Sequence, residues 1–270
     1  MNSVDKTMYI PLYGKAYVSK KGIILRDKKA EEIWNNEGFS LKGKSKSKWL
    51  AYFMGIRAAV YDRWAKNQME ENPDAVVLHI GCGIDSRILR IGDDFHKWYD
   101  IDFPEVISER KQYYTDGENY KMLVGDARKP QWLSEFNQTK AAVVIFEGIS
   151  MYLNHDEVKN LFSALSNHFD KVVLLMDCYT TMAAKISKYK NPINEVGVTK
   201  VYGTDAPSIF DSEKFKFVKE YNMTPDNFIN ELHGIEKIIF KKIFGGSFSK
   251  KMYRMFEYKS VELYLFMSYK

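Results

Sequence analysis

The sequence predicts a doubly wound α/β fold, and three observations carry that prediction. Short apolar runs alternate with longer stretches of helical periodicity through residues 75–177, the pattern of βαβ units around a mostly parallel sheet. The first run, AVVLHI, passes directly into the glycine-spaced turn of HIGCGIDSR at residues 79–87. Each of the first four runs ends in bare backbone or an acid: Gly81-Cys82-Gly83, Asp100-Ile101-Asp102, Gly125-Asp126-Ala127-Arg128 and Glu147-Gly148.

In chain order, residues 27–37 read as a short helix and WLAYFMGIRAAVYDRWAKNQME (49–70) as a long one. Strands are expected at 75–80, 97–102, 121–127, 141–148 and 171–177, separated by the helical candidates SRILRIGD, PEVISERKQYY, QWLSEF and HDEVKNLFSALSNHF. In the last, Val158, Leu161, Phe162 and Leu165 recur at helical spacing, and Asn154 or Asp156 can cap the start. Beyond the fifth strand the pattern is irregular through residues 180–212. Two late strands are expected at FKFVKEYNM (215–223) and VELYLFMSY (261–269), with a helical segment rich in Lys, Phe and Ile between them. No repeat or linker divides the chain. A single domain over 1–270 is expected, with a helical cap (1–70), a core (75–177), a polar lid insertion (178–212) and C-terminal strands and helix (213–270).

Composition narrows the classes. At 270 residues and 45% hydrophobic the chain can fill a sizeable core. Forty basic against 35 acidic residues leave a formal charge of +5, too mild and dispersed for a nucleic-acid footprint. Lys42, Lys44, Lys46 and Lys48 alternate in LKGKSKSKW, a spacing that suits no helix face and reads as a solvated loop rather than a phosphate site. Cys82 and Cys178 have no CxxC spacing, which argues against a disulfide framework or a metal site and fits a reducing compartment. Neither a signal peptide nor a membrane span is indicated, so the expectation is a cytoplasmic protein without nucleic-acid or membrane partners.

In doubly wound folds ligands collect outside the carboxyl ends of the strands. Glycines at the first βα turn allow close backbone approach, and an acid ending the second strand can accept from two ribose hydroxyls. That much suits NAD, FAD or S-adenosylmethionine equally. A pyrophosphate site usually has G-x-G-x-x-G, and here Ser86 holds the third glycine's place. Asp126, beside the backbone N–H of Ala127, can accept from an adenine amino group. An adenosine without phosphates fits best.

HIGCGIDSR, WYDIDFPEV, GDAR and FEGISMYL, in this order, resemble the leucine carboxyl methyltransferase family, which includes the tetracenomycin-type polyketide O-methyltransferases and is a branch of the class I S-adenosylmethionine-dependent enzymes. The resemblance runs from about residue 9 to residue 177. It implies a Rossmann-like methyltransferase sheet of seven strands with the last antiparallel, and S-adenosylmethionine as cofactor. By resemblance, Gly81 and Gly83 form the cofactor loop, Asp102 holds the ribose hydroxyls, Asp126 and Ala127 flank adenine, and Glu147 lies near the methionine ammonium. Arg57 and, in an N-terminal segment that closes over the site, Lys15 match the positions that meet the cofactor carboxylate. Asp100 stands two residues before Asp102, where many members have Glu.

Methyl transfer from a sulfonium needs an acceptor lone pair in line with the methyl carbon and a dry, orienting pocket. A carboxylate needs no base, whereas a hydroxyl does. His155, Tyr152, Asp177 and Tyr179 are the candidates, although His155 reads more readily as a first-turn residue of an exposed helix. Asp85 and Arg87 suit an ion pair bracing the loop, and Cys82 suits filler rather than nucleophile. The expected activity is O-methylation of a small organic acceptor. The alternatives are a protein-carboxyl or tRNA-modifying methyltransferase, a nicotinamide oxidoreductase, and a catalytically silent scaffold.

Overall fold

The computed structural model describes residues 5–36, 41, 43–92, 95–136, 140–190 and 200–261. Its strands are β1 (Val76–Ile80), β2 (Trp98–Asp102), β3 (Tyr120–Val124), β4 (Ala141–Phe146), β5 (Lys171–Tyr179), β6 (Phe215–Tyr221) and β7 (Tyr253–Ser260). They form one sheet in the order β3-β2-β1-β4-β5-β7-β6. Strands β1 to β5 pair in parallel, and β7 runs antiparallel between β5 and β6. The chain order reverses direction at β1, where the βα turn opens outward, so the glycine loop stands at the topological switch point.

The helices are α1 (Tyr9–Lys20), α2 (Lys28–Asn36), α3 (Lys48–Glu71), α4 (Arg87–Ile91), α5 (Pro104–Arg110), α6 (His155–His168), α7 (Thr181–Lys190), α8 (Asp226–Ile229), α9 (Gly234–Phe244) and α10 (Ser247–Lys250). Strand periodicity sorts the core into two layers. Val77, Val143, Ile145, Val173 and Leu175 pack toward α3, α8 and α9, while Val76, Leu78, Val144, Phe146, Leu174 and Met176 pack toward α6 and a 3-10 turn at Pro130–Phe136. The cap of α6 is Asn154: its side chain accepts from the Glu157 backbone N–H, and the Glu157 carboxylate accepts from the Asn154 N–H. Ser47 caps α3 through the Trp49 N–H.

Three elements differ from the sequence expectation, one of them α7, a helix at Thr181–Lys190 where the sequence pattern is irregular. The last described strand lies at Tyr253–Ser260, inside the stretch read as helical, and the strand expected at 261–269 lies, beyond Val261, outside the described residues. The segment YRMFEYKS carries Arg254, Glu257 and Lys259, which disguises an interior strand. Inside the fold, Glu257 accepts from Trp64 Nε1 and from the Tyr221 hydroxyl, each at 2.8 Å, so its charge is satisfied on a buried face. The N-terminal cap also holds a further helix, α1, whose Pro11 and Gly14 argue against helix on propensity. Pro11 sits in the first turn, where no N–H is required. Gly14 lies against α3 so closely that a Cβ would stand 2.5 Å from Met54 Cβ, so packing outweighs propensity there.

Candidate active site

The carboxyl ends of β1 to β5 open into a cavity of about 550 Å³, covered by the N-terminal segment through Met8, Leu12 and Lys15. Of the residues singled out from sequence, Lys15, Arg57, Gly81, Gly83, Asp102, Asp126, Ala127, Glu147, Tyr152 and Tyr179 all line this cavity. His155 does not. The strand order places Asp126, Asp102, the glycine loop and Glu147 side by side across three interstrand gaps of ~4.8 Å each.

Backbone conformation fixes the loop. Gly81 and Gly83 adopt φ of 71° and 53°, and a Cβ on Gly81 would lie 2.5 Å from Ile149 Cγ2. The Gly83 N–H donates to Asp102 Oδ2 at 2.8 Å, and its carbonyl accepts from Arg110 Nη1 at 3.1 Å. Asp102 Oδ1 accepts from the Phe103 N–H at 2.8 Å, so the acid is aimed before any ligand arrives. Asp100 belongs to the layer beneath. It is fully buried and accepts from Trp98, Tyr120 and Arg110. Burial alone pushes its carboxyl up, but Arg110 and His79 outweigh this and hold it low. Ser86, in the third glycine's place, turns inward and donates to Asp27 Oδ1 at 2.5 Å. Burial pushes the Cys82 thiol well up, which keeps it protonated.

Behind the loop lies a buried ionic cluster. Arg57 Nε donates to Glu147 Oε1 at 2.9 Å, and its Nη1 to Asp177 Oδ2 at 3.3 Å and the Tyr253 hydroxyl at 3.0 Å. Arg87 bridges Asp62 (2.6 Å) and the second oxygen of Glu147, with Asp85 at 3.5 Å. Lys15 reaches Asp85 at 3.3 Å. Burial raises the Glu147 carboxyl, but Arg87 and Arg57 more than reverse this, keeping it ionised. Burial lowers the Lys15 ammonium, partly offset by Asp85. Asp85 and Arg87 thus brace the loop within a larger network that includes Arg90 and Asp27. Asp177 is not a free base: it accepts from the Gly148 N–H, Tyr61 and Tyr253 as well as Arg57.

At the far end Asp126 is held in a bidentate fork by Arg128, whose guanidinium also lies 5.5 Å from the Phe103 ring centroid. The near wing is apolar, built from Phe53 and Met54 of α3, Ile186 of α7, and Ile243 and Phe244 of α9, with Tyr152, Tyr179 and Tyr253 among them. Tyr253 sits in the strand that sequence reading placed elsewhere, so its role beside Arg57 was not legible. His155 instead pins the chain beyond α7: its Nε2 lies 3.1 Å from both Gly203 O and Thr204 Oγ1, and its ring packs edge-on against Phe210. His155 thus stands outside the cavity. No cluster of metal-ligating side chains occurs among the described residues.

A sequence model of the leucine carboxyl methyltransferase family matches residues 11–166, more than half of the chain. The chain belongs to this family. Leucine carboxyl methyltransferases are S-adenosylmethionine-dependent methyltransferases, and the cavity of this member fits that cofactor on the chemistry of its walls. Arg57 and Lys15 offer cations for a carboxylate, Glu147 an anion for an ammonium, Asp102 an acceptor for ribose hydroxyls, and Asp126 with Ala127 an edge for adenine. The curated relatives include the tetracenomycin polyketide synthesis O-methyltransferase TcmP of Streptomyces glaucescens, 25% identical over 241 residues, covering 88% of this chain and 89% of TcmP. They also include the S-adenosyl-L-methionine-dependent methyltransferase dpfgK of Gibberella zeae, 28% identical over 187 residues, covering 63% of this chain and 62% of dpfgK. Among solved structures, magnesium protoporphyrin IX methyltransferase from Synechocystis, crystallised with S-adenosylhomocysteine, shares the fold at a TM-score of 0.52 and 12% identity, covering 87% of this chain and all of that one. A DUF574 family protein from Streptomyces avermitilis does so at 0.55 and 11%, covering 92% and 95%.

Proposed function

We propose that this methyltransferase O-methylates the carboxylate of a small, largely apolar organic acid. The observation that carries the reading is that most of the titratable side chains described on the cavity wall are already engaged or hold their protons. Burial pushes the phenols of Tyr152 and Tyr253 well up, so at neutral pH both are donors and not bases. Glu147, Asp85 and Asp126 are engaged by arginines, and His79 is held between Asp100 at 3.1 Å and Arg87 at 3.3 Å. A hydroxyl acceptor would find none of these groups free to take its proton. An organic acid arrives already ionised.

When bound, S-adenosylmethionine supplies a sulfonium-activated methyl group, whose transfer to a carboxylate oxygen moves no proton. The chain's own residues then have two tasks. Arg57, Lys15, Glu147 and Asp102 orient the cofactor, and the apolar wing aligns the acceptor and excludes water, effects that together can be worth ~7–11 kcal/mol. The similarity to TcmP supports a small-molecule acceptor, and the apolar wing suits one better than a polar RNA.

The test is transfer of a labelled methyl group to matched acids and phenols sharing one carbon skeleton. Transfer to the acids alone, with no titration between pH 6 and 9, is the result expected for a base-free site. Transfer only to the phenols, to a peptide C-terminus or to tRNA would overturn the reading.

A further inference from the structure

Helix α9, GIEKIIFKKIF, is apolar on two sides. Phe240 and Phe244 face the protein, Phe240 fully buried. On the solvent side Ile235 and Ile238 are 71% and 69% exposed, which is unusual for two isoleucines on one short helix. At 100° per residue Ile235, Ile238, Ile239 and Lys242 share that outer face, with Lys241 at its edge.

The surroundings are basic. Between Gly234 and Met252 the sequence holds five lysines (237, 241, 242, 250 and 251) and a single acid, Glu236. That acid is itself engaged by Lys48 at 2.7 Å and Lys21 at 3.5 Å, and by the Tyr52 hydroxyl. Part of the alternating-lysine segment at 42–48, which looked like an isolated loop in sequence, thus meets the start of α9 through Lys48. The same helix also borders the cavity. Ile243 of α9 and Ile186 of α7 both line it while remaining 45% exposed, so they stand at its mouth, with Met182 of α7 41% exposed nearby on the same helix.

We infer that the outer face of α9 docks the protein on an anionic lipid surface, with the mouth of the acceptor wing turned toward the bilayer. A convex strip of isoleucines offers no shaped groove for a folded acidic partner. A bilayer interface accepts such a strip without shape complementarity, and the flanking lysines meet anionic headgroups. No described helix is long and apolar enough to cross a membrane, so the association is peripheral. The inference goes beyond the proposed chemistry and stands whatever the acceptor is.

The full chain is sedimented with vesicles of phosphatidylcholine alone and of phosphatidylcholine mixed with phosphatidylglycerol. Binding is expected only with the anionic lipid, weakened by salt, and at least about tenfold weaker in the double variant Ile235→Glu, Ile238→Glu and in Lys241→Glu, Lys242→Glu. Ile235 and Ile238 face solvent and Lys241 makes only an exposed pair with Asp226 at 2.9 Å, so the thermal midpoint and cofactor affinity of each variant serve as folding controls. No binding to either vesicle, equal binding by wild type and variants, or a dimer in solution that the isoleucine variant dissociates would overturn the inference. Vesicle binding is read without any methyl acceptor, so its outcome is separate from that of the transfer assay.

Discussion

Arg57 Nε and Glu147 Oε1 meet at 2.9 Å across ninety residues of sequence, one from the middle of the long helix α3 and the other from the end of β4. The pair is almost fully buried, yet both side chains line the cavity. The protein thus keeps a cation and an anion side by side on the cavity wall.

Replacing Arg57 by Lys keeps the charge and loses the fork that holds Glu147 and Asp177 together. S-adenosylmethionine affinity, measured by calorimetry, is expected to fall at least tenfold, in line with ~1.5–3 kcal/mol for a charged hydrogen bond. Arg57→Ala should also cost about 3–5 kcal/mol of stability in denaturant unfolding, because two acids lose a buried partner.

Asp102 both faces the cavity and anchors Gly83. Asp102→Ala is expected to weaken cofactor binding at least tenfold. Asp102→Asn, which keeps one acceptor oxygen, should weaken it less; equal losses would mean that the charge, not the acceptor geometry, matters.

Loss of the His155 side chain should leave the pH–rate profile unchanged and kcat within a few-fold of wild type. Its cost should appear as about 1 kcal/mol of stability from the lost contacts to Gly203 and Thr204. A fall in kcat of a hundredfold in a folded His155→Ala protein would restore it as a base.

Gly81→Ala places a Cβ where φ is 71° and Ile149 lies 2.5 Å away. The expected cost is about 1–3 kcal/mol for the backbone strain alone, seen as a lowered unfolding midpoint, together with weakened cofactor binding.

Acid stability follows from the buried carboxylates. Glu147 and Asp85 are held below their ordinary values of 4.5 and 3.8, against burial, by Arg87 and Arg57 and by Arg90 and Lys15 respectively. Groups depressed in the folded state contribute stability that is present above the unfolded pKa and lost as pH falls through the folded one. Asp177 has the opposite sign, since burial raises it above 3.8, and it offsets part of the gain at neutral pH. Chemical unfolding should give a midpoint nearly flat from pH 7 to about 5 that drops steeply below about 4.5.

The parallel core, the glycine turn and the acids at the strand ends were legible from the chain alone, because strand periodicity and turn chemistry are written within a few residues of each other. Asp102, Asp126 and Glu147 lie where their strands end, and neighbouring strands bring those ends together without further instruction. Which groups share a charge emerges from the packing of distant segments. Arg57 reaches Glu147, Asp177 and Tyr253 through contacts 90, 120 and 196 residues apart, and no local pattern records such distances. That packing also decided that His155 turns toward Gly203, that β7 carries Glu257 inward, and that Lys48 joins the helix with the exposed isoleucines. In each case the deciding term is the pairing of a buried polar group or the close approach of two helices, and both exist only once the chain has folded.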